Sequence, residues 1–152
     1  MYAVRIDSAR SVMLGLFSGD TNSDDDFERY VESLVRADRD ASPSFSPIVV
    51  LVVDRENPAP SAQWRKRIAD ATSRVKSKDV LFVLCAESPL IRGVVTAINW
   101  IRPPKYEVEV VASTDAMLAA VGTRRAAAED IARRMLAELR VASRISDRTS
   151  SA

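Results

Sequence analysis

The sequence predicts an α/β domain with a mixed central sheet of about five strands and helices packed on it. Three observations predict it. Two uninterrupted apolar runs, Ile48 to Val53 and Val80 to Ala86, are short enough to be strands, and the first is made of β-formers throughout. Continuous apolarity implies that both faces of each are covered, as in interior parallel strands. Each run is followed by sequence of helical period, and alternation of strands with helices implies parallel pairing through right-handed crossovers. The chain also opens on two short apolar runs, Tyr2 to Asp7 and Val12 to Ser18, joined by Ser8 to Ser11. That pair reads as a β-hairpin and makes the sheet mixed.

The elements follow in order. Gly19 and Asp20 end the second strand. Phe27, Tyr30, Val31, Leu34 and Val35 recur at helical spacing after Ser23 and Asp24, which can cap the helix. Asp24, Asp25 and Asp26 sit at the positive end of its dipole. Three adjacent side chains at a helix start point in different directions, so a metal site is not expected there. Pro43 and Pro47 mark a loop before the strand from Ile48 to Val53, which ends at Asp54. Asn57, Pro58 and Pro60 form a turn, and Ser61 caps a helix carrying Trp64, Ile68, Ala71 and Val75. After the strand from Val80, Ser88-Pro89 is a strong helix start. Leu90, Ile91, Val94, Val95, Ile98 and Ile101 give that helix a broad apolar face, which Pro103-Pro104 ends. Tyr106 to Ala112 alternates like an edge or near-edge strand. A short helix then runs from Ser113–Asp115 to Gly122, and a last helix from Ala126 to Ala142 carries Ile131, Met135, Leu139 and Ala142 on one stripe. Ser143 to Ala152 shows no packing pattern and is expected to be disordered.

Composition narrows the function. The chain has 152 residues, a formal net charge of +1, one cysteine and no histidine. Near-neutral charge argues against nucleic acid as an obligatory partner. The absence of histidine removes the commonest general base, the commonest zinc ligand and every Ser-His or Cys-His nucleophile. The lone Cys85 lies in an apolar run, so the chain fits a reducing, cytoplasmic compartment. No apolar run approaches the ~20 residues of a membrane-spanning helix. The four glycines, at 15, 19, 93 and 122, form no phosphate-binding loop. No cofactor and no catalytic residue is expected.

The element order and the stretches IVVLVVD (Ile48 to Asp54), ESPLIRGVVTAINWI (Glu87 to Ile101) and EVEVVASTDAMLAAV (Glu107 to Val121) resemble the STAS and SpoIIAA-like domains. The resemblance covers about residues 1–122, leaving 123–142 as an appended helix and 143–152 as a tail. It implies a non-catalytic regulatory module that binds another signalling or regulatory protein. In that family a serine at the start of the helix after the third strand is phosphorylated, usually within Asp-Ser-Ser-Gly. Here Ser61 matches, within Pro-Ala-Pro-Ser-Ala-Gln-Trp.

Ser61 also has a physical case. A phosphoserine at a helix N-terminus meets free N–H groups and the positive end of the dipole. Arg65, one turn on, and Arg55, in the preceding loop, could pair with it. The plain alternative is an N-cap serine with no other role. A second candidate region lies beyond the carboxyl ends of the two central strands, where Asp54, Glu87, Ser88 and Arg92 could line a crevice for a small ligand or lipid. Enzymatic use of Asp54 and Glu87 is the weakest reading, because charged residues commonly end strands as the chain exits to water. Trp64 and Trp100 sit at core spacing, with Trp100 as an alternative exposed anchor. The last helix can pack on its own sheet or support a homodimer.

Overall fold

The computed structural model describes residues 1–150, and the side chains of all of these except Ile98, Ile101 and 146–150. The elements are β1 (Tyr2–Asp7), β2 (Val12–Phe17), α1 (Asp24–Arg39), β3 (Ile48–Val53), α2 (Ala62–Ser73), β4 (Leu81–Ala86), α3 (Pro89–Ile101), β5 (Glu107–Val111), α4 (Thr114–Arg124) and α5 (Ala126–Ser150). The sheet order is β1-β2-β3-β4-β5. β1 pairs antiparallel to β2, and every later pair is parallel. The mixed α/β fold read from the sequence is therefore the fold observed.

The order never reverses from β2 to β5. Three successive right-handed crossovers stepping in one direction must leave their helices on one face of the sheet. Packing agrees. Met13, Phe17, Val49, Leu51, Val53 and Leu84 point toward Phe27, Tyr30 and Leu34 of α1, Trp64 of α2 and Ile91 of α3. The alternate strand positions, including Leu14, Leu16, Val50, Val52 and Val83, point the other way, as the two-residue period of a strand requires. They meet Met117, Leu118 and Val121 of α4 and Ile131, Met135, Leu136 and Leu139 of α5. This explains why β3 and β4 are apolar throughout: each serves two cores.

Local chemistry fixes the ends. The hairpin turn holds Ser11 at φ 52°, a left-handed conformation uncommon outside glycine. The Ser11 hydroxyl accepts the Ser42 amide at 2.8 Å, which ties the turn to the loop before β3. α1 starts with a full capping box: the Asp26 amide donates to Ser23 Oγ, and the Ser23 amide donates to the Asp26 carboxylate. Gly15 in β2 is required by close approach, because a Cβ there would lie 2.7 Å from the Tyr2 hydroxyl. Tyr2 crosses β2 to donate to Ser33 Oγ of α1, which in turn donates to the Tyr30 carbonyl.

Two expectations are corrected. The last helix does not stop at Ala142 but continues to Ser150, and residues 151–152 lie outside the described residues. Its stripe runs on because Ser143, one turn beyond Leu139, is buried and meets the buried Ser18 hydroxyl at 3.1 Å. Nor is α5 an appendage to a finished domain. With α4 it forms the helical layer on one sheet face, burying Ala128, Ala132 and Leu136 as well as Ile131, Met135 and Leu139 of the expected stripe, while Ala142 is exposed.

Candidate functional site: an apolar cavity between the sheet and two helices

The residues singled out in the sequence do not converge. Ser61 caps α2, its hydroxyl accepting the Trp64 amide at 3.3 Å, and it is exposed. Arg65 does not face Ser61 Oγ with its charge; its Nη1 donates to the Pro60 carbonyl at 3.0 Å. Arg55 is exposed and makes no ion pair among the described residues.

The strand-end crevice is dismantled in the same way. Asp54 and Glu87 do follow paired residues, Val53 and Ala86. The Asp54 carboxylate, however, accepts Arg140 of α5 on both oxygens, at 2.5 and 2.7 Å. Glu87 is exposed. Arg92 turns back to donate to the carbonyls of Ala86 and Glu87, at 2.6 and 2.7 Å, closing the end of β4. Ser88 serves α3 as a weak N-cap, with the Ile91 amide at 3.5 Å. Because strand order never reverses between β2 and β5, neighbouring crossovers do not diverge to opposite faces, and the usual strand-end crevice does not open.

The space opens elsewhere. A cavity of about 110 Å³ lies between the sheet and helices α2 and α3. A single water needs roughly 10 Å³ on this scale, so the void is far larger than a packing defect. Its floor is Leu51 and Val53 of β3, Phe82 and Leu84 of β4 and Val108 of β5. Ile68, Ala69 and Thr72 of α2 form one wall, and Ile91, Val94, Val95 and Asn99 of α3 the other. Pro58, Pro60 and Arg65 stand at the end near the carboxyl ends of the strands, and Tyr106 at the opposite end.

The cavity follows from where its two helices are anchored. Trp64 is the one buried side chain of α2. It stacks on Phe27 with ring centroids 5.3 Å apart, and its Nε1 donates to Asp24 at 2.7 Å. Arg67 lies over the Trp64 ring and pairs with Glu28. All of these partners belong to α1, so α2 leans toward α1. α3 is held by Arg92 at its start, and Ile91 is the one buried residue among its described side chains. Near its far end Arg102 pairs with Asp70 of α2 at 2.7 Å, bridging the two helices across the cavity. The space over β3, β4 and β5 between these anchors is left unfilled.

Most polar groups in the lining are already used. The Asn57 amide donates to the Gly19 carbonyl and exchanges hydrogen bonds with Asn22. Thr72 Oγ1 donates to the Ile68 and Ala69 carbonyls. Burial raises the Tyr106 hydroxyl pKa, opposed by its hydrogen bond to Thr72. Asn99 makes no hydrogen bond among the described residues, and Arg65 is the single charged residue in the lining. No group of three or more Cys, Asp or Glu side chains among the described residues could hold a metal. Cys85 is buried on the opposite sheet face. Burial first, and then the nearby Glu87 carboxylate, raises its thiol to about 11, so it is not poised as a nucleophile.

Sequence reasoning found the elements of this site but not the site. The signal lay in two facts that were visible apart: Pro-Ala-Pro-Ser before α2, and a helix α3 whose sole charged residue is Arg92. Trp100, expected in the core or as an exposed anchor, is 82% exposed, and Leu90 is 67% exposed. No family model matches the chain, and no curated protein or solved structure matches it. No helix among the described residues is long and apolar enough to cross a membrane.

Proposed function

We propose that this chain is a non-catalytic cytoplasmic binding module of STAS/SpoIIAA-like type, and that its ligand is a small apolar molecule held between the sheet and helices α2 and α3. The observation that carries this reading is the cavity itself: about 110 Å³, floored by Leu51, Val53, Phe82 and Leu84 and roofed by a weakly buried helix. Ligand sites are typically concave, mostly apolar and furnished with few polar groups. An apolar void of this size forfeits contacts in every wall, and a bound apolar molecule would restore them.

The test is titration with the neutral fluorophore N-phenyl-1-naphthylamine. The wild type is expected to give a saturable rise in emission. Ala69→Phe, which places a ring in the cavity from the α2 wall, is expected to abolish that rise while melting at or above the wild-type temperature. A wild type that gives no saturable signal would overturn the reading.

A second reading, a docking module for a regulatory protein, is favoured by α3. Leu90, Gly93, Ala97 and Trp100 follow one another at helical spacing and are all exposed, so α3 turns an apolar side outward. The exposed hydroxyl of Ser61 is then the candidate switch. Capture from native lysate with wild type and Trp100→Ser baits, and intact-mass measurement of each, tests it. A partner lost with Trp100, or a phosphate on Ser61, supports this second reading; identical captures and an unmodified bait count against it.

A further inference from the structure

We propose that the ligand of the cavity is a monocarboxylate amphiphile, such as a medium-chain fatty acid, whose carboxylate is bound by Arg65. The inference rests on the binding-module reading and goes beyond it by naming the head group.

Charge carries the inference. Arg65 is the single charged residue lining a mostly apolar void. Its guanidinium has five N–H donors in a planar fork. One of them is spent on the Pro60 carbonyl, which fixes the direction of the fork, and no carboxylate among the described residues pairs with it. Several other arginines of this chain find acids: Arg29 takes Asp26, Arg67 takes Glu28, Arg102 takes Asp70 and Arg140 takes Asp54; Arg92 and Arg125, like Arg65, are held by backbone carbonyls but do not line this cavity. A half-buried arginine held by a neutral carbonyl at the end of an apolar cavity is matched by a ligand with one negative charge and a planar pair of acceptor oxygens. A phosphate monoester carries more charge than one arginine neutralises, and an ammonium head would be repelled.

The register places the tail. Val53 lies at the Arg65 end of the floor. Leu51 and Leu84 are directly paired below it, and Phe82 and Val108 are paired one further step down, toward Tyr106. From Val53 to the level of Phe82 is four residues of strand, roughly 13 Å at ~3.3 Å per residue. An extended acyl chain lies along this floor with its methyl end toward Tyr106, where Thr72 Oγ1 is already turned to the Ile68 and Ala69 carbonyls.

The experiment is displacement of N-phenyl-1-naphthylamine from the full chain at neutral pH by decanoate, decanol, decylamine and decyl phosphate. Decanoate is expected to displace the probe at about one tenth the concentration of decanol, the preference that one charge-assisted hydrogen-bond pair confers at a half-exposed site. Decylamine is expected to be weakest, and decyl phosphate no better than decanoate. Arg65→Met should bring decanoate and decanol to parity, and Arg65→Lys should keep part of the preference. The wild-type series needs no variant and stands if Arg65→Met fails to fold. Parity of decanoate and decanol in the wild type, or a clear preference for decyl phosphate, would overturn the head-group assignment while leaving the cavity reading intact. A wild type that does not bind the probe at all overturns the cavity reading first.

Discussion

Asp26 shows how much one side chain can organise. Its carboxylate accepts the amides of Tyr2 and Ser23 and the guanidinium of Arg29, at 2.7, 3.0 and 2.6 Å. It thereby joins β1 to the start of α1. Burial would raise its pKa, but the two backbone N–H groups, Arg29 and the Ser23 hydroxyl outweigh burial and hold it at about 2. A carboxyl whose folded pKa lies below its unfolded value, 3.8 here, contributes stability that is fully present above the unfolded value and is lost as pH falls toward the folded one. The displacement corresponds to about 2 kcal/mol. Asp26→Asn is therefore expected to lose about 2 kcal/mol at pH 7 by urea unfolding, with the gap to wild type closing as pH falls from about 4 toward 2. A gap that stays constant across that range would mean the charge contributes nothing. The sequence made the triplet Asp24-Asp25-Asp26 legible as a helix start, because first-turn acids follow from the dipole alone. It did not separate the three. Asp26 is singled out by Tyr2, and Asp24 by Trp64, and those partners lie 24 and 40 residues away along the chain.

At the scale of the element, α3 is where sequence and structure tell different things. Its start was legible because Ser88-Pro89 is a local signal, and its broad apolar face was legible from spacing. How deeply that face is buried is not a local property. Periodicity says which side turns inward, while the distance to the sheet is set by anchors on other elements: Trp64 drawing α2 toward α1, and Arg92 holding only the first turn of α3. The result is a helix whose described side chains bury Ile91 alone, with Leu90 and Trp100 in solvent. Few buried contacts mean a low local opening free energy. In native-state hydrogen exchange, α3 amides should exchange at least about tenfold faster than those of β3 and β4, through local opening rather than global unfolding. Asp70→Asn, which removes the Arg102 bridge between α2 and α3, should widen that difference and speed probe entry, with little change in melting temperature because an exposed pair is worth at most about 1 kcal/mol. Equal protection across α3 and β4 would show that the helix is clamped and that a ligand must enter another way. The same reasoning explains why the cavity could not be read from the sequence: its floor and most of its walls are apolar residues that look like ordinary core when taken singly, and Arg65 looks like an ordinary surface charge.

At the scale of the whole molecule, the two sheet faces have different jobs. One carries α1, α2 and α3 and holds the cavity. The other carries α4 and α5, whose buried side chains pack on the alternate strand positions. The doubly apolar strands announced that both faces are covered, but not that the second cover comes from the last third of the chain. Residues 1–122 looked self-sufficient because each of β2 to β5 already had a helix after it. The three crossover helices α1, α2 and α3 fall on one face, however, so a chain ending there leaves Leu14, Leu16, Val50, Val52 and Val83 with only α4 to cover them. α5 buries Ile131, Met135, Leu136 and Leu139 with Ala128 and Ala132, on the order of 10 kcal/mol of apolar burial. That is comparable with the whole stability of a typical domain, about 5–15 kcal/mol. The Asp54–Arg140 pair adds a tether from α5 to the end of β3. A chain truncated after Arg125 is therefore expected to be insoluble, or soluble with no cooperative thermal transition, and to lose probe binding even though no residue of the cavity lining has been removed. Arg140→Ala, by contrast, should keep the fold and lower stability by about 1 kcal/mol, since it leaves the apolar stripe intact. A truncated chain that melts cooperatively and still binds the probe would show that one face of the sheet suffices, and that α5 is an accessory after all.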